Sequence, residues 1–118
     1  MHVLLHIEKI FKFLPIYHVG VTYQYGPFKR RFDFHPKRLN IPIQGQRKTL
    51  NLGRSKRNPL QILHHEKQIK KNYFLTQNDC RHYTDDLLNY SLDSPPDVIN
   101  LSSLHSIYST IDSNDIFT

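Results

Sequence analysis

Ile16-Tyr17-His18-Val19-Gly20-Val21-Thr22-Tyr23 is the stretch on which the fold turns. It is rich in β-branched and aromatic residues and reads as a buried strand carrying one histidine. Tyr25-Gly26-Pro27 follows as a hairpin turn and leads into a second strand over Phe28–His35. There Phe32 and Phe34 share one face, and Arg31, Asp33 and His35 share the other. The hairpin therefore sets polar groups beside His18.

Upstream, Val3, Leu5 and Ile7 alternate with His2, Leu4, His6 and Glu8, a period of two that favours a strand over a helix. The opening residues 1–17 carry His2, His6, Glu8, Lys9 and Lys12. They match neither a signal peptide nor a membrane span and are expected to stay in the fold. Downstream, residues 36–58 hold Pro36, Pro42, Gly45, Gly53 and many bases. They read as a long basic connection with one short strand near Thr49–Leu52.

Asn58-Pro59 is a helix start, a cap followed by proline at the first helical position. It opens a helix over Leu60–Phe74 whose expected buried stripe is Leu60, Leu63 and Ile69. A second helix runs from Cys80 to about Tyr90, with Tyr83, Leu87 and Leu88 inward and Asp85 and Asp86 on the solvated side. The acidic Ser/Asp-rich tail, residues 91–118, holds a short docking helix using Leu101, Leu104, Ile107 and Tyr108. Its last residues fray.

The chain has 118 residues and reads as a single α+β domain, a small antiparallel sheet packed against helices. One cysteine excludes an internal disulfide framework and points to a reducing, intracellular compartment, the cytoplasm or an organelle such as the plastid stroma. The formal net charge of +6 is unevenly spread. Residues 28–57 carry ten Lys/Arg against Asp33 alone, and residues 79–118 carry seven Asp against Arg81 alone, so the two regions should attract.

Cys80 is the chain's chemically distinctive residue. Asn78 or Asp79 can cap its helix, and the exposed N–H groups of a first turn favour a thiolate, the nucleophilic form of cysteine. A histidine brought close by the fold could take and return the proton, and His18 is the candidate. The bland alternatives are a buried small hydrophobe for Cys80, a satisfied core histidine for His18, and for Asp33 a carboxylate neutralised by Arg30 or Arg31.

Tyr-His-Val-Gly-Val on one strand, Arg-Phe-Asp-Phe-His-Pro on its partner and Asn-Asp-Cys-Arg-His-Tyr at a helix start together resemble the circularly permuted papain-like thiol hydrolases. Two branches are similar, the PPPDE peptidases and the lecithin:retinol acyltransferase-like proteins. The resemblance covers about residues 1–90 and implies His18 as general base, Cys80 as nucleophile, and Asp33 or His35 as the group that orients the imidazole. It implies attack of the thiolate on an amide, thioester or ester carbonyl, with backbone N–H groups of the Cys80 helix meeting the oxyanion. An acyl or peptide substrate follows from it. Arg81 stands where the acyltransferase-like motif has Glu, Asp79 separates Asn78 from Cys80, and the basic connection matches neither branch.

No His-Glu-x-x-His pattern or paired-cysteine spacing joins His64, His65, Cys80 and His82, so no metal or other cofactor is expected. The competing class is a nucleic-acid-binding module. Its cations would be Arg54, Lys56 and Arg57 with the Lys29–Arg31, Lys37-Arg38 and Arg47-Lys48 clusters, interleaved with Phe28, Phe32 and Phe34.

Overall fold

A computed structural model of the chain describes residues 1–9, 17–33, 47–76 and 80–111. Four strands come first: β1 (His2–Lys9), β2 (Tyr17–Tyr25), β3 (Phe28–Asp33) and β4 (Arg47–Arg54). Three helices follow, α1 (Pro59–Thr76), α2 (Cys80–Ser91) and α3 (Leu101–Thr110). The strands form one antiparallel sheet in the order β3-β2-β1-β4. The architecture is α+β, as expected.

Register fixes which side chains share a face. Val3, Leu5 and Ile7 lie opposite Tyr23, Val21 and Val19, and Val21 in turn lies opposite Phe32. These residues form one apolar face, which packs into a single core with Ile62 and Ile69 of α1, Tyr83, Leu87 and Leu88 of α2, and Leu104 and Tyr108 of α3. All three helices therefore lie on the same side of the sheet. The strand expected near Thr49–Leu52 is longer, because β4 pairs with β1 along most of its length and closes that edge.

Capping explains the helix starts. In α1 the Asn58 carbonyl oxygen of the side chain accepts from Gln61 N at 2.9 Å, and the Gln61 side chain returns a bond to Asn58 N at 2.9 Å. This reciprocal pair satisfies two end groups and leaves Pro59 in the first turn, where its missing N–H costs nothing. The expected stripe is corrected here: Leu60 is 78% exposed, and Ile62, Glu66 and Ile69 carry the buried face. Leu60 sits a half turn from Ile62, so the i, i+4, i+7 row starting at Ile62 is the one that faces the core, with α2 as its main neighbour. Glu66 is tolerated there because Tyr83 Oη donates to its carboxylate at 2.8 Å.

Asn100 caps α3 by accepting from Ser102 N and Ser103 N. Leu104 and Tyr108 dock as expected, with Leu101 turned outward. Asp85 and Asp86 are half-buried, not fully solvated. Burial pushes the Asp85 carboxyl above its ordinary value, and the neighbouring charges of Asp97 and Asp86 push it further.

Candidate functional site

Cys80 is the first residue of α2, the position anticipated for it, and α2 runs across β2, the histidine strand. The two side chains nevertheless part company. Tyr17 bonds His105 of α3, Tyr23 bonds Ser91 and the Leu87 carbonyl of α2, and Val19 belongs to the same core as Cys80. A strand alternates its side chains, so His18, between Tyr17 and Val19, points to the opposite face. The expected Cys80–His18 dyad is thus not assembled in this structure: the sheet itself lies between sulfur and imidazole. Asp33 ends β3, its backbone opposite Gly20, and His35 lies outside the described residues.

His18 has other company. Its direct cross-strand partner is Glu8, whose neighbour on the far side is Arg47. Such pairs hold their Cβ atoms about 5 Å apart. Arg31 reaches across from β3 to place Nη2 2.7 Å from Glu8 Oε1, and Arg47 Nε lies 3.9 Å from the same oxygen. His6, one row along, is held between Thr49 Oγ1 at 3.0 Å and Thr22 Oγ1. Arg47 Nη2 points at His6 Nδ1 from 3.3 Å. A guanidinium can only donate, so in that contact Nδ1 is the accepting side. On this face His6, Glu8, His18, Thr22 and Thr49 are all buried, with Leu4 as an apolar member. Sequence reasoning singled out His18, with Arg31 among the polar groups that the hairpin sets beside it, and missed Glu8 and Arg47 as companions. The signal was the polar half of the alternation in β1.

A second feature lies at the end of the sheet where the β2–β3 hairpin turns. Gly26 takes φ +56 in the turn, a left-handed conformation natural to glycine, and the turn brings Tyr25 and Phe28 into register as partners. Tyr25 is 62% exposed and Phe28 73%. With Tyr23, Phe32, Lys29 and Arg30 they line a groove of about 390 Å³. Lys29 stands opposite Gln24, Gln24 opposite His2, and His2 opposite Arg54, so one row across the sheet ends in a cation at each edge.

The three cations proposed from sequence divide. Arg54 is exposed at that edge. Lys56 pairs with Asp93 at 3.2 Å, an instance of the anticipated attraction between basic segment and acidic tail. Arg57 donates to the Tyr90 carbonyl at 3.2 Å and lies over the Tyr90 ring at 4.5 Å, with His65 stacked on that ring at 4.0 Å. Arg57 therefore serves the β4–α1 junction.

Among the described residues no three His, Cys, Asp or Glu side chains converge to hold a metal ion, and no helix is long and apolar enough to cross a membrane. No family model, no curated protein and no solved structure matches the chain.

Proposed function

We propose that this protein binds single-stranded nucleic acid at the hairpin end of its sheet. The observation that carries the reading is the exposed Tyr25–Phe28 pair beside Lys29 and Arg30 on a chain of net charge +6. Aromatic faces accept bases of any identity by stacking, and flanking cations neutralise the phosphates between them. Arg30 already lies 5.4 Å from the Phe32 ring centroid, extending the cationic surface over the aromatic floor. On the other face of the sheet Lys29 begins a row that ends in Arg54 at the opposite edge, so the hairpin end is cationic on both faces. Fluorescence anisotropy with a labelled single-stranded oligonucleotide tests the reading. Binding that weakens as salt rises, and that Tyr25→Ala with Phe28→Ala abolishes, supports it; no binding at about 50 mM salt refutes it.

The thiol-hydrolase reading draws on one specific observation, a cysteine at the first position of a helix packed on the histidine strand. Its general base must come from the core face of β2, and His18 is on the other. The cysteine labelling experiment described in the Discussion decides it.

A further inference from the structure

We propose that the hairpin end of the molecule docks on anionic lipid bilayers, with Tyr25, Phe28 and Leu60 entering the headgroup layer. Such docking goes beyond the nucleic-acid reading and does not depend on it. Among the described residues the exposed large apolar side chains are Tyr25, Phe28, Leu60, Ile99 and Leu101, and they fall at two places. Ile99 and Leu101 lie where α3 begins, beside the first turn of α2, since Arg81 donates to the Ile99 carbonyl at 2.7 Å. Tyr25, Phe28 and Leu60 lie at the other end of α2, where Ser91 bonds Tyr23 and its carbonyl accepts from Lys56 N at 2.8 Å. Tyr25 and Phe28 flank the hairpin turn, and Leu60 follows Pro59, which lines the groove together with both rings.

Charge separates the two places. Residues 24–31 and 52–61 build the hairpin end and contain no Asp or Glu. Lys29 and Arg54 belong to the row on one face of the sheet and Arg30 lies over Phe32 on the other, so cations stand around the apolar tip. Ile99 and Leu101 instead adjoin Asp97, whose carboxylate accepts from Ile99 N and Asn100 N. An anionic surface therefore attracts the first set and not the second. Each Lys or Arg held near such a surface strengthens binding about fivefold. Exposed rings and a leucine gain by leaving water for the boundary of headgroups and acyl chains, about 5–10 Å deep, while long cationic side chains keep their charges at the phosphates. The turn suits that depth because Pro27 has no N–H to leave unpaired there. Lys29, Arg30 and Arg54 suit the phosphates of a lipid or of a nucleic acid. Leu60, with no ring to stack on a base, belongs to the bilayer alone.

The experiment pellets the full chain with phosphatidylcholine vesicles, with and without about 30% phosphatidylserine, at about 100 mM salt. The protein should pellet with the anionic vesicles alone. Leu60→Ser should weaken that binding about tenfold. Because Leu60 is exposed in the folded protein, the same variant should keep the thermal unfolding and the oligonucleotide binding of the parent. Leu101→Ser, at the other apolar place, should leave vesicle binding unchanged. Absence of pelleting with the anionic vesicles, equal pelleting with the neutral ones, or an equal effect of the two leucine substitutions overturns the proposal and leaves the nucleic-acid reading to its own test. Pelleting with anionic vesicles that depends on Leu60, in a protein that binds no oligonucleotide, upholds the bilayer and removes the nucleic-acid reading.

Discussion

Tyr23 and Ser91 are joined hydroxyl to hydroxyl, tying the centre of the sheet to the last turn of α2. Ser91 also reaches the Leu87 carbonyl, so the bond fixes both the position of α2 and its C-terminal turn. Burial pushes the Tyr23 phenol up to about 12, a rise that the Ser91 hydrogen bond partly opposes. In the unfolded chain the phenol ionises near its ordinary value of about 10. Above that pH the unfolded state gives up a proton that the folded state keeps, so stability is fully present below about pH 10 and falls as pH rises towards 12. Tyr17 and Tyr108 are pushed the same way by burial, so urea unfolding at pH 8 and at pH 11 should show a loss that Tyr23→Phe reduces by roughly 1–2 kcal/mol without removing it. At pH 8 that variant should itself cost about 1 kcal/mol, the worth of a typical buried hydrogen bond. An unchanged loss at pH 11 in the variant would assign the effect to other groups.

Gly53 takes φ +94 where β4 bulges: Arg54 pairs with His2 and Asn51 with Leu4, so two residues of β4 lie between partners that are separated by one residue on β1. The bulge turns the end of β4 towards Met1, whose carbonyl accepts from Ser55 N at 2.7 Å. A β-carbon at Gly53 meets no atom within 4 Å, so the cost of Gly53→Ala is conformational, about 1–2 kcal/mol. Thermal unfolding of that variant, compared with Gly26→Ala at the exposed hairpin turn, measures it. A neutral effect at position 53 would mean that the bulge relaxes without strain.

Much of this architecture was legible because alternation and capping are local. Val3, Leu5 and Ile7 announced one face of β1, Asn58-Pro59 announced α1, and Tyr83, Leu87 and Leu88 announced the inner side of α2. The candidate site was less legible, since the side of the sheet on which the helices pack is a tertiary choice. His18 reads as a buried strand residue whichever side that is, and only the packing of Tyr17 and Tyr23 on α3 and α2 sends it away from Cys80. The length of β4 was hidden for a related reason. An edge strand of Arg, Lys, Thr and Asn has little apolar signal and is held by its pairing with β1.

Cys80 and His18 on opposite faces imply independent chemistry. Alkylation of Cys80 by iodoacetamide, followed against pH, should give superimposable profiles for the parent protein and His18→Ala. The buried thiol should react faster as urea loosens α2 from the core. A profile displaced by the His18 substitution in the folded protein would show that imidazole and sulfur meet, and would restore the thiol-hydrolase reading.

The hairpin end offers the sharpest separation of stacking from charge. Stacking is worth about 1–3 kcal/mol per base, so Tyr25→Ala and Phe28→Ala should each weaken oligonucleotide binding about 5- to 150-fold and leave its salt dependence unchanged. Lys29→Gln and Arg54→Gln should do the reverse, each removing about 0.7 from the slope of log affinity against log salt, the value for one phosphate on a single strand. Arg57→Gln should leave that slope intact and lower stability instead, because its side chain is committed to the carbonyl and ring of Tyr90. Measuring anisotropy at four salt concentrations across this set distinguishes the two contributions. A salt slope reduced by Arg57→Gln and unaffected by Lys29→Gln would move the binding surface from the hairpin end to the β4–α1 junction.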